Sequence, residues 1–125
     1  MSKELVIRKC LKCGATIKVL EDCNCSCGFE CCGEKMKRLV PNSVDAAVEK
    51  HVPTYEVKDG KIFAEVNHVM EEDHYIEWIS IVFDDKEVTT YFKPSEEATM
   101  HCKYVPGSTI YAYCNKHGLW KKEVE

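Results

Sequence analysis

The chain has 125 residues, is 45% hydrophobic and 30% charged, and carries a net charge of −4. That balance is globular, not disordered, and the length suits one ordinary domain or a small domain joined to a medium one. The acidic excess argues against nucleic acid as a partner, since phosphate contacts need Lys/Arg surfaces. No apolar run approaches the roughly 20 residues that a membrane helix needs.

Charges every few residues through Met1–Lys9, with no apolar core, do not read as a secretory signal, so a cytoplasmic location is expected. Disulfides are rare in that reducing compartment, and the nine cysteines could not all pair. Metal is the expected use for them. Seven of the nine cysteines fall within the first 32 residues, a composition shift that marks a domain boundary. Charge divides likewise: residues 1–42 carry 8 Lys+Arg against 5 Asp+Glu, and residues 43–125 carry 9 against 16. A basic small domain on an acidic larger one suits docking of an electron-carrier protein.

In chain order, Cys10-Leu11-Lys12-Cys13-Gly14 and Cys31-Cys32-Gly33 come first. A Cys-x-x-Cys-Gly turn places two sulfurs about a metal, and a second pair from a facing loop completes a tetrahedron suited to zinc or iron. Ile17–Leu20 reads as a short strand between the pairs. The loop Glu21–Glu30 adds Cys23, Cys25 and Cys27. These are either spare thiols or alternative ligands, with Cys25 or Cys27 replacing one of the adjacent pair. Val40–Ser43 reads as a linker, giving domains 1–40 and 44–125.

Beyond the linker there is no helical periodicity of length. Short strands alternate with turn signals such as Asp59-Gly60, Asp84-Asp85 and Pro106-Gly107, the pattern of an all-β sandwich. The expected strands are Val52–Val57, Lys61–Val69, Tyr75–Phe83, Val88–Phe92, Thr99–Val105, Thr109–Tyr113 and Trp120–Val124. Alternation puts His68 on the stripe of Ile62, Ala64 and Val66, and Cys114 on that of Ile110 and Ala112. It puts His101 toward solvent and Cys102 toward the core. His68 and His74 flank an acidic hairpin-type loop, and Val52, preceding Pro53, is biased to an extended conformation that sets the exit of His51. Cys114-x-x-His117-Gly118 is a turned pair able to face one ion. Four histidines and one cysteine thus gather near strand ends.

Glu49-Lys50-His51-Val52-Pro53, His68-x-Met70-Glu71-Glu72-x-His74-x-Ile76-Glu77-Trp78 and Cys114-Asn115-x-His117-Gly118-x-Trp120 resemble the desulfoferrodoxin-type superoxide reductases. The two early cysteine motifs, with Glu34-x-Met36-Lys37, resemble the desulforedoxin-like amino-terminal domain of that family. The resemblance implies a small rubredoxin/desulforedoxin-like iron domain followed by an immunoglobulin-like antiparallel β-sandwich. It implies an Fe(Cys)₄ centre at Cys10, Cys13, Cys31 and Cys32, where zinc is the other ion that fits. It implies a second iron with His51, His68, His74 and His117 equatorial and Cys114 axial. Reduction of superoxide to hydrogen peroxide, a rubredoxin-like donor and a homodimer follow from the same resemblance. So does a resting-state ligand role for Glu49, while Lys50, a cation beside His51, is expected to guide superoxide or to hold water that supplies a proton. The chain departs from the family at the three extra cysteines, at Val69 where proline is common, and at Leu119 where histidine can occur.

The chemistry agrees with that resemblance. Five ligands exceed the tetrahedral set of structural zinc, and imidazole suits iron. Ferrous iron with one thiolate leaves a local positive charge that attracts a small anion despite the acidic body. Two other functions use the same residues: a non-catalytic iron electron carrier or redox sensor, and a β-sandwich interaction module with a structural zinc.

Overall fold

The computed structural model of the chain describes residues 3–23 and 26–125. Met1, Ser2, Asn24 and Cys25 lie outside the description, as does the side chain of Glu49. Residues 4–40 form one compact unit, and Lys3 with residues 41–125 forms another.

In the first unit β1 (Val6–Lys9) lies between β2 (Thr16–Val19) and β5 (Lys37–Arg38), antiparallel to both. A separate hairpin joins β3 (Glu30–Cys31) to β4 (Glu34–Lys35). Its two-residue loop, Cys32-Gly33, has φ of 54° and 76°. Two positive values are what a type I′ hairpin turn demands. For a side chain such as that of Cys32 the left-handed region costs roughly 1–2 kcal/mol, so something else in the unit must favour this turn. Leu5, Ile7 and Met36 are the buried aliphatic side chains among the unit's described residues. Arg8 donates to both carboxylate oxygens of Asp22 at 2.9 and 3.0 Å and lies 5.2 Å over the Phe29 ring, which ties down the loop after β2.

The second unit is an antiparallel sandwich of the immunoglobulin-like kind. One sheet has the order β10 (Thr99–Lys103), β7 (Lys61–Glu65), β6 (Thr54–Lys58). The other runs β12 (Gly118–Glu123), β11 (Thr109–Cys114), β8 (Ile76–Val82), β9 (Glu87–Tyr91). The inward residues of the two sheets form one core: Ile62, Ala64 and Met100 from the first, Ile79, Ile81, Ile110 and Ala112 from the second. Each fully buried isoleucine contributes about 1.5–3 kcal/mol relative to exposure. His101 is exposed, stacked 5.6 Å from Phe63, while Cys102 is half-buried against the core.

Every strand expected from alternation is present, with shifted ends. The first starts at Thr54, not Val52, because residues 48–51 close a single helical turn, α1 (Val48–His51), whose last amide bond runs from Val52 N–H to Val48 O. Four residues are too few to leave a periodic signal. Val52 is extended, at φ −71° and ψ 126°, as its position before proline requires. The second stops at Glu65. In the second sheet, Tyr113 pairs with Trp78 but Cys114 pairs with Ile76, so Glu77 is the extra residue of a bulge. Bulges next to functional sites re-aim a side chain, and this one sits beside Cys114.

Candidate metal centres

Each residue of the histidine-rich group comes from a different local device. His51 ends α1, and His68 follows β7. His74 closes a tight turn in which Glu71 and His74 exchange both backbone hydrogen bonds, at 3.0 and 3.2 Å. Cys114 ends β11, and His117 occupies the three-residue turn before Gly118, which pairs with Cys114. At φ 82° Gly118 makes that turn affordable.

Together these elements bring one donor atom from each of His51, His68, His74, Cys114 and His117 within 4.8 Å of one another. His51 Nδ1 donates to Ala47 O at 2.7 Å and His68 Nδ1 to Val69 O at 2.5 Å. A carbonyl only accepts, so both rings carry their proton on Nδ1 and a lone pair on Nε2. Those two Nε2 atoms face each other at 3.2 Å. His117 Nδ1 is 3.1 Å from His51 Nε2, and Cys114 Sγ is 3.5 Å from His68 Nε2. Protons on His117 and Cys114 relieve this crowding only in part, because His74 Nε2 is buried with no hydrogen-bond partner. One shared cation satisfies every one of these atoms. Five donors exceed the tetrahedral set of zinc, and imidazoles with a thiolate suit iron.

The environment prepares the ligands. Burial pulls the His68 pKa below the usual histidine value, against the pull of the Val69 carbonyl. Burial, then the nearby His117 and Lys116, do the same to His74. Both rings therefore favour the neutral, ligating form. Burial pushes the Cys114 thiol up, opposed by the peptide N–H groups of Lys116 and His117. The His117 amide reaches the sulfur at 3.4 Å, and such donors temper a bound thiolate. Trp120 stacks on His51 at 4.9 Å and donates its indole N–H to His117 O at 3.1 Å. Cys114 and His51 are buried, while His68, His74 and His117 are half-buried, so the sulfur lies on the protein side and the group opens among the imidazoles. Lys50 is exposed, one residue before His51.

In the amino-terminal unit the sulfurs of Cys10, Cys13, Cys31 and Cys32 also lie within 4.8 Å of one another. Cys13 and Cys31 sulfurs are 3.7 Å apart, and the Cys13 amide donates to Cys10 Sγ at 3.4 Å. That amide leads the effects that lower Cys10 to about 6. Sharing protons with Cys10 and Cys13 drives Cys31 up to about 12. A tetrahedral ion, iron or zinc, relieves that competition and favours the left-handed Cys32. Among the described residues Cys23 and Cys27 are not in this group, and Cys25 lies outside the description.

Two residues escaped the sequence reading. Trp120 lay inside a motif with no role given to it, and Asn115 received none. The signal for Asn115 was its type, since Asn side chains readily bond to backbone.

A β-sandwich with a four-histidine, one-cysteine group at its rim and a four-cysteine group before it defines a two-centre, mononuclear non-haem iron protein. The desulfoferrodoxin family model matches residues 43–123. A desulfoferrodoxin of Desulfarculus baarsii is 41% identical over 98% of this chain and 99% of its own length. One from Syntrophotalea carbinolica is 36% identical over 98% and 99%. The crystal structure of the superoxide reductase from Treponema pallidum superposes at a TM-score of 0.73 and 23% identity, over 97% of this chain and 100% of its own. The chain belongs to the desulfoferrodoxin family.

Proposed function

We propose that the protein is a superoxide reductase that converts superoxide, one electron and two protons into hydrogen peroxide. The observation that carries this reading is the set of five converging donors, one short of an octahedron, with the sulfur buried and the imidazole side open. His51, His68, His74, His117 and Cys114 would hold the iron, which in its ferrous form would supply the electron. The residues around it supply the rest. Neutral imidazoles leave the local charge positive, which favours a small anion. Lys50 adds an exposed cation beside His51, and solvent at the half-open face supplies both protons. Glu49 is assigned the resting-state ligand role on family resemblance alone.

Residues 1–40 are read as a desulforedoxin-like domain whose Cys10, Cys13, Cys31 and Cys32 hold iron, and residues 44–125 as the superoxide reductase domain. A rubredoxin-like donor, a homodimer and a cytoplasmic setting belong to the same proposal. The test is anaerobic mixing of the ferrous protein with superoxide. One peroxide per superoxide without dioxygen is expected, and release of dioxygen at half that peroxide yield would sink the reading.

A further inference from the structure

His51 and His68 each tie Nδ1 to a carbonyl, and His51 also stacks on Trp120. His117 is held in the turn that its amide closes onto Cys114. His74 has no ring hydrogen bond among the described residues. Its ring lies edge-on to those of His68 and His117, at 4.7 and 5.0 Å. A ligating histidine almost always gains its orientation from a partner on its other nitrogen. No protein group among the described residues supplies one for His74, whereas its backbone is tied on both sides.

We propose that Asn115 is the positioning residue for His74, its carboxamide clamping the chain on both sides of that ligand. Asn115 Oδ1 accepts from Tyr75 N–H and Asn115 Nδ2 donates to Asp73 O, both at 3.0 Å. The Asn115 amide donates to Tyr75 O at 3.3 Å. With the paired bonds between Glu71 and His74, the backbone groups on both sides of His74 are tied. Asn115 follows Cys114 directly, so the clamp fixes the distance between the His74 turn and the sulfur-bearing turn. A Lys116–Asp73 ion pair at 3.8 Å also links these turns, but it is exposed and contributes little. The site needs a side chain that accepts at one end and donates at the other, as a carboxamide does. Aspartate keeps the acceptor for Tyr75 but turns a second acceptor toward the Asp73 carbonyl.

The test loads wild type, Asn115→Ala and Asn115→Asp with iron and strips it with a competing chelator, following the sulfur-to-iron absorption of Cys114. Asn115→Ala is expected to hold this iron about 10- to 100-fold more weakly, the usual cost of losing an outer support, and to shift the band. Asn115→Asp should fall between. In a His74→Ala background, adding Asn115→Ala should change retention by less than about 2-fold, because coupled residues do not add. Wild-type retention and band in Asn115→Ala, or an undiminished effect in the His74→Ala background, overturns the proposal. Should Asn115→Ala fail to fold by circular dichroism, Asn115→Asp decides by the same two readouts. None of these uses superoxide, so the clamp stands or falls apart from the proposed activity.

Discussion

The two cysteine-bearing regions solve opposite problems. In residues 4–40 the ligand cluster takes the place of a core: Leu5, Ile7 and Met36 are buried, Cys10 is buried with them, and Cys32 holds a left-handed conformation at the cluster. A unit this small needs a staple. In residues 41–125 an apolar core runs from Ile62 through Ile79, Ile81 and Ile110, and of the five ligands Cys114 alone belongs to it. The histidine group sits at its rim, on a helical turn, two loops and a hairpin end. Metal therefore organises the first region and only occupies the second.

The largest expected effect breaks this comparison most directly. Removing both metals with a strong chelator under reducing conditions should unfold residues 4–40, since binding free energy there is folding free energy. The sandwich should keep its structure. Hydrogen exchange would read this as full exchange of amides in β1 and β2 with lasting protection in β8 and β11. Equal loss in both regions would show that the sandwich also depends on its ion.

A smaller effect separates the regions by pH. Burial holds His68 and His74 below the ordinary value of 6.5. Just below that pH the unfolded chain binds more protons than the folded one, so the metal-free sandwich loses stability as pH falls through the lower folded values. Above it both rings are neutral in either state and the dependence vanishes. Thermal midpoints of metal-free protein should decline below about pH 6.5, and His68→Gln with His74→Gln should flatten the decline. An unchanged slope in that double variant would place the titrating groups elsewhere.

How far each region could be read in advance follows from where its information lies. Alternation in Ile110–Cys114 placed Cys114 on an inward stripe, because a strand's period is a sequence property, whereas the strand expected to carry His68 ends at Glu65. The one-turn helix under His51 left no period to read. The partners that fix the tautomers, Ala47 O and Val69 O, are backbone atoms that any residue could supply. The bulge at Glu77 is a register event between distant strands. In the small unit the cysteines announced metal, but spacing did not choose among seven. The chosen four depend on a left-handed Cys32 that propensity argues against.

The smallest effect sharpens the contrast at the rim itself, between two lysines. Lys50 is exposed beside His51, whereas Lys116, between Cys114 and His117, is partly neutralised by Asp73 at 3.8 Å. Steering by a charge depends on its unscreened field, so Lys50, which has no ion pair among the described residues, should matter more. Lys50→Ala should slow superoxide capture roughly 2- to 10-fold at 0.01 M salt, where the screening length is about 30 Å, and barely at 1 M, where it is about 3 Å. Lys116→Ala should slow it less at either salt. Stopped-flow oxidation of the ferrous protein across an ionic-strength series measures both. Equal slowing of Lys50→Ala at low and high salt would mean that the lysine acts through a fixed water or a contact, since no long-range field survives such screening.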